Sequence, residues 1–256
     1  MDLRIRQIRY NTPNGVFTSG RPGGPPYPSS RGPMKNQFSG WSYRLSPRLL
    51  LRTRPEPRAE AGEQIILVES GAAFPPGHPS TRLCLDLLRE VLGGGALASL
   101  LDVGCGAGVL SLAAAALGVG RVLGVDIASR AVRATRENAR RNGLAGAIRV
   151  VQGSSHCLKA PFDLVAANLP WEVQLDQAPE LHRLAAAGGR LILSGFRDDQ
   201  ESPLLERYQR LGWSVKQRLV KYFQHPELPP HLSFNWVAWL LDEGLNPNGE
   251  SINLKI

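Results

Sequence analysis

"LLDVGCGAGVL", residues 100–110, is the stretch on which the reading of this chain turns. An apolar run ends in three glycines at alternate positions, Gly104, Gly106 and Gly108. A short apolar run closed by glycine reads as a buried strand, and the Ala-rich stretch that follows reads as a buried helix. Downstream, "RVLGVD" (121–126) is a second short strand, and it ends on an acid, Asp126. A strand, a glycine loop, a helix and then an acid at the next strand end point to an adenosine-containing ligand at the carboxyl ends of the strands. A dinucleotide fold spaces its glycines as G-x-G-x-x-G. Here the spacing is G-x-G-x-G, and Val109 stands where the third glycine of that pattern belongs. The departure tilts the loop away from a pyrophosphate.

The alternation of strand and helix signals extends in both directions from residue 64 onward. "HPSTRLCLDLLREVLGGG" (78–95) places Leu83, Leu87, Leu88, Val91 and Leu92 on one helical face, with Pro79 and Ser80 at its start and glycines at its end. "SRAVRATRENARRNG" (129–143) is a helix with Ser129 as N-cap and Gly143 as its stop. "AIRVV", "FDLVAAN" and "RLILSGF" are strands, and "QLDQAPELHRLAAAGG" and "DDQESPLLERYQRLG" are helices. Repeated strand–helix units imply a doubly wound α/β fold with a mostly parallel sheet and helices on both faces. The last two strand candidates, "WSVKQRLVKYFQ" and "LSFNWVAWLL", have no helix between them and imply an antiparallel C-terminal hairpin at one edge.

Charge divides the 256-residue chain into two. Residues 1–60 carry 11 Lys and Arg against 3 Asp and Glu, a net of +8, while residues 61–256 carry 19 of each. The leading segment contains "TSGRPGGPPYPSSRGP", too poor in large apolar residues to offset the entropy of ordering, so residues 1–60 are expected to be a largely irregular basic extension. Two patches in it, "LRIRQIRY" and "RLLLRTR", read as strands or as segments docked on the domain. The domain proper is expected over 61–256. No secretory core opens the sequence, and the longest apolar run is too short for a membrane span. Cys84, Cys105 and Cys157 form no metal-ligand spacing, so no metal is expected, and scattered cysteines suit a reducing cytoplasm.

"LLDVGCGAGVLSLAAAALG" followed by "VLGVDIASRAVRATRENARRNGL" resembles the first two motifs of class I S-adenosylmethionine-dependent methyltransferases. The resemblance implies a Rossmann-like methyltransferase fold with a seven-stranded sheet. It implies that S-adenosyl-L-methionine is bound by Asp102 and the backbone of Gly104, Gly106 and Gly108. Asp126, followed by Ile127, would take the ribose hydroxyls, and Asn168 would lie beside the cofactor. Upstream, "ILVESGAAFPPGHPSTRLCLDLL" is similar to the segment before the cofactor domain in methyltransferases that trimethylate a large-subunit ribosomal protein: Ala73-Phe74 and His78-Pro79-Ser80-Thr81 match. Between them "PPG" replaces a longer Gly/Thr-rich loop, so a threonine contact of that family has no counterpart at Gly77. The family's N-terminal substrate-binding domain has no recognisable counterpart in residues 1–60. His78 reads as a structural loop histidine, and a catalytic base is the alternative.

The second informative stretch is "VAANLPWEV" (165–173). It resembles the Asn/Asp-Pro-Pro-aromatic motif of nitrogen methyltransferases, with Leu169 in place of the first proline. The resemblance implies that the Asn168 side chain and a following backbone carbonyl accept hydrogen bonds from the target N–H groups. Pro170 and Trp171 would complete the motif, the ring packing on the target. Glu172 and Asp176 follow and read as solvated acids at a helix start. Three functions follow as expectations. One is an N-methyltransferase acting on a protein side chain such as lysine; another is an RNA or nucleobase N-methyltransferase; the third is a cofactor-binding interaction module without catalysis. The neutral balance of residues 61–256 disfavours broad phosphate contact and so favours a protein partner, such as a ribosomal protein, over RNA.

Overall fold

The computed structural model describes residues 40–54, 62–70, 74–223 and 234–243. In chain order the elements are β1 (Ser42–Ser46), β2 (Leu49–Arg52), β3 (Gln64–Leu67), α1 (Pro79–Gly93), β4 (Ser99–Val103), α2 (Val109–Ala116), β5 (Arg121–Asp126), α3 (Ser129–Arg141), β6 (Ile148–Gln152), β7 (Phe162–Asn168), α4 (Trp171–Leu184), β8 (Ala185–Arg197), α5 (Glu201–Arg210), β9 (Trp213–Phe223) and β10 (Phe234–Glu243). The patch at 3–10, the Gly/Pro-rich stretch at 18–33 and Ala73 lie outside the described residues.

Seven strands form one sheet in the order β6-β5-β4-β7-β8-β10-β9. β6, β5, β4, β7 and β8 run parallel; β10 runs antiparallel to both neighbours, β8 and β9. This is the doubly wound sheet with the C-terminal hairpin expected from sequence. Its central strand β4 is buried along its whole length because helices cover both faces. Alternate residues feed two cores. Leu100, Leu164 and Ile192 face α1, α2 and α3, while Leu101, Val165, Leu191 and Leu193 face α4 and α5.

Residues 1–60 were expected to be largely irregular, and the described part of that segment is not. β1 and β2 form an antiparallel hairpin, and β3 adds to β2 in parallel. Trp41, Tyr43, Leu45, Leu49 and Leu51 are buried in the core shared with α1 and α2. The sequence "WSYRLSPRLLLR" alternates apolar and polar residues across a short turn, and one apolar face is enough to dock a hairpin on the leucines of α1. Tyr43 fixes the seat: its hydroxyl donates to Asp86 Oδ1 (2.5 Å), and the Arg82 guanidinium lies 5.7 Å from its ring centre.

Two helix ends differ from expectation. α3 is capped by Ala128, not Ser129; Ser129 is its first helical residue, and Asp126 Oδ1 accepts the Ala128 N–H at 2.8 Å. α4 starts at Trp171, three residues before the predicted run, and ends at Leu184, so that "AAAGG" enters β8. Pro170 immediately before the first turn sets that earlier start, and the two glycines favour the extended chain over the helix.

Candidate functional site

β4, β5 and β6 succeed one another toward one edge, and the chain then returns to place β7 on the other side of β4. The carboxyl ends of β4 and β7 therefore diverge, and a crevice opens between them. A cavity of about 530 Å³ occupies it, within the range of about 300–1,000 Å³ common for small-molecule sites. Its walls come from five strand ends: Gly104 and Gly106 after β4, Asp126 and Ile127 at β5, Ser154 and Ser155 after β6, Asn168 and Pro170 after β7, and Gly195 in β8.

The glycine loop is shaped by sterics. Gly104, Gly106 and Gly108 all have left-handed φ, of 71°, 58° and 81°, which only glycine adopts freely. Gly104 and Gly106 face the cavity. Gly108, also expected beside the cofactor, is not among the described residues lining either cavity. A Cβ there would lie 2.7 Å from Thr135 Cγ2 on α3, so this glycine lets two helices approach. Thr135 in turn donates from Oγ1 to the Gly106 carbonyl (2.9 Å).

Two carboxylates brace the loop. Asp126 Oδ2 accepts the Gly106 N–H (3.0 Å) while Oδ1 holds Ala128, so the acid both shapes the loop and faces the cavity. Ile127 beside it is 76% exposed at the rim. Asp102 lies behind the loop, on a smaller cavity shared with Phe74, Thr81, Cys105 and Asn168. Its Oδ2 accepts both the N–H and the hydroxyl of Ser111 (3.1 and 2.7 Å). Burial pushes this carboxyl up to about 6, against the pull of the Ser111 bonds. Cys105 packs beneath Gly124, and burial pushes its thiol upward, which makes it a small packing residue and not a nucleophile.

Across the crevice stands Asn168. Its amide nitrogen lies 3.4 Å from Thr81 Oγ1, and its Oδ1 has no hydrogen-bond partner among the described residues. The turn after it is clamped. Leu169 N–H donates to Ser194 O (3.0 Å), and a Cβ at Gly195 would fall on the Leu169 carbonyl. Gln174, fully buried, donates from Nε2 to Leu169 O (2.9 Å) and to Ser194 O. Pro170 lines the cavity as expected. Trp171 does not: the first turn of α4 directs it onto the second core, beside Leu169 and Leu175. Glu172 and Asp176 are exposed and outside the cavity walls, in keeping with solvated helix-start acids.

The remaining wall is aromatic, and one of its members, Trp236, escaped the sequence reading. His78 caps α1, accepting the Ser80 N–H at Nδ1 (3.2 Å). Its ring lies between Phe74 and Trp236, with centroids 4.6 Å away on each side. Burial pushes its pKa down to about 4, so it is uncharged at neutral pH. Trp236 comes from β10, 158 residues later in the chain than His78. No local pattern announces that meeting. Among the described residues no cluster of His, Cys, Asp or Glu is placed to hold a metal, and no helix is long and apolar enough to cross a membrane.

With this geometry established, comparison with known proteins is informative. The family model of ribosomal protein L11 methyltransferases matches residues 35–222. The ribosomal protein L11 methyltransferase of Pelotomaculum thermopropionicum is 41% identical over 163 residues, covering 63% of this chain and 52% of its own length. That of Geobacter sulfurreducens is 36% identical over 184 residues, covering 69% and 60%. The chain thus spans about half to three fifths of these curated relatives. Among solved structures, the ribosomal protein L11 methylase of Lactobacillus delbrueckii subsp. bulgaricus superposes with a TM-score of 0.65 at 25% identity, covering 79% of this chain and 98% of its own. The magnesium protoporphyrin IX methyltransferase of Synechocystis PCC 6803, crystallised with bound S-adenosylmethionine, shares the fold with a TM-score of 0.52 at 20% identity, covering 64% and 79%. The match to the family model spans well over half of the sequence, from just before the docked hairpin into β9, and the chain belongs to the ribosomal protein L11 methyltransferase family.

Proposed function

We propose that this chain transfers methyl groups from S-adenosylmethionine to an amino nitrogen of a protein, with a ribosomal protein of the L11 kind as the target. One observation carries the reading: the glycine loop and Asp126 face the same cavity as Asn168, whose Oδ1 is the open acceptor at its far side. The cradle fits the cofactor. Gly104 and Gly106 give bare backbone along one wall, Asp126 gives acceptors for hydroxyls, and Ile127 gives an apolar rim. Asp102, largely ionised at neutral pH, places negative charge behind the loop, complementary to a cationic ligand. When bound, the cofactor supplies an electrophilic methyl group on a sulfonium.

The chain's own residues do the rest by positioning. Asn168 Oδ1 accepts a target N–H and so aims the nitrogen lone pair, which is where much of such a rate gain originates. Uncharged His78 adds no positive charge to repel an amine. Among the described residues no carboxylate besides Asp126 lines the large cavity, and on this reading the amine gives its proton to solvent before attack.

The test is incubation of the chain and tritiated S-adenosylmethionine with a lysate of methylation-deficient cells, separated into protein and RNA. Label in a small ribosomal protein is expected. Label confined to RNA would overturn the reading, and no label in either fraction would favour a binding module.

A further inference from the structure

We infer that Asn138 on α3 and Asn142 at its C-cap are positioning residues, a clasp that fixes strand β3 and the aromatic wall beyond it against the glycine loop. The inference rests on the methyl-transfer reading above. An extended strand turns the N–H and C=O of alternate residues to opposite edges. β3 pairs with β2 along one edge, and the Val68 N–H just beyond it donates to Arg52 O (2.9 Å). Leu67 and Glu69 face the other way, toward α3, where no strand waits. Asn142 meets Leu67 there: Oδ1 accepts its N–H (2.8 Å) and Nδ2 donates to its carbonyl (2.7 Å). Asn138 does the same for Glu69, at 3.1 and 2.9 Å.

The match is metric. Four residues along a helix rise about 6 Å, and two residues along a strand about 6.6 Å. Two amides one turn apart therefore reproduce a strand's ladder from a helix face. Asn138 has one more proton to give, and Nδ2 also donates to Ala107 O in the glycine loop (2.9 Å). It is 1% exposed, so water cannot stand in for these bonds. Five residues beyond Glu69 the chain reaches Phe74, which shares the small cavity with Asp102 and Ala107. The support of the cofactor loop and the support of the target wall thus meet in one side chain.

The clasp predicts unequal effects of two substitutions. In the full chain, Asn142→Ala should leave the Kd for S-adenosylhomocysteine within about twofold of the parent and raise the KM for the protein target about tenfold. Asn138→Ala should weaken both by about tenfold. Where either alanine variant does not fold, Asn142→Ser and Asn138→Ser, which stay neutral and keep a hydroxyl, are expected to show the same pattern in milder form. Hydrogen exchange supplies a readout independent of activity. In the parent, S-adenosylhomocysteine should slow exchange across residues 67–70 and at Phe74, and Asn138→Ser should abolish that slowing. If the variants only lower the melting temperature, with Kd, KM and ligand-linked exchange unchanged, the clasp is merely structural and the inference fails. Should the parent methylate no protein, the functional reading falls, while calorimetry and exchange still decide the clasp.

Discussion

Asp126 is where one side chain serves structure and ligand together. Each carboxylate oxygen already holds a backbone N–H, at Gly106 and Ala128, and each keeps a second lone pair toward the cavity. Asp126→Ala should therefore deform the loop and remove ribose acceptors at once. A hydrogen bond to a charged group is worth about 1.5–3 kcal/mol, so loss of one alone predicts at least about tenfold weaker S-adenosylhomocysteine binding by calorimetry. The parent should bind S-adenosylhomocysteine and not NAD. At this scale the sequence was legible wherever function depends on residues close in the chain. The three glycines and the acid after β5 announce themselves because one loop and one strand suffice to bring them together. Asn168 was legible as a strand terminus. Where Trp171 lies was not legible, because a motif of adjacent letters does not say where a helix's first turn points them. Thr135, Asn138, Gln174 and Trp236 left no signal, since each acts on backbone or rings far away in sequence.

Elements carry the next two predictions. The hairpin β1–β2 falls in the segment expected to be a largely irregular extension, yet it buries Trp41, Tyr43, Leu45, Leu49 and Leu51. At about 1.5–3 kcal/mol for each large apolar side chain, their loss rivals the whole stability of a domain, about 5–15 kcal/mol. A chain beginning at Ala59 is expected to be insoluble or unfolded by circular dichroism; a soluble truncation melting within a few degrees of the parent would contradict the docked hairpin. β2 was legible as the strand-like "RLLLRTR", while β1 was hard to see because a short run beside a Gly/Pro-rich stretch has an average composition that hides a two-residue periodicity. α1 depends on a histidine cap that works only while uncharged. The folded pKa of His78, about 4, lies below its ordinary value of 6.5. Between those values the unfolded chain holds more protons, so this contribution to stability is lost as pH falls from about 6.5 to about 4. Asp102, with its raised pKa, acts in the opposite sense over an overlapping range and is common to both proteins compared. His78→Asn keeps a capping oxygen without the titration. Denaturant titrations at several pH values should show the parent losing stability relative to His78→Asn as the solution is acidified. Parallel curves would contradict the assignment.

For the whole molecule, the strand order is the cause of the site. Because β7 returns to the far side of β4, the glycine loop and the Asn168 turn face each other across a single crevice, although 60 residues separate Gly108 from Asn168. Gly195 transmits the same design from β8: its left-handed φ of 96° and missing Cβ leave room for the Leu169 carbonyl. Gly195→Ala is expected to cost about 1–3 kcal/mol in strain and overpacking. It should also lower turnover more than cofactor affinity, because it displaces the Asn168 turn and not the glycine loop. The strand–helix alternation made this architecture readable, while the pairing of β10 between β8 and β9, which delivers Trp236, required the folded chain. The central claim is that one cavity divides its work, cofactor on the glycine loop and target nitrogen on Asn168. Its most direct test is Asn168→Ala, with S-adenosylhomocysteine affinity and tritiated-methyl transfer to the ribosomal protein measured on the same preparation. The account predicts a Kd within about threefold of the parent and turnover lower by roughly a hundredfold; turnover equal to the parent's, or a loss of cofactor binding as large as the loss of turnover, would contradict it.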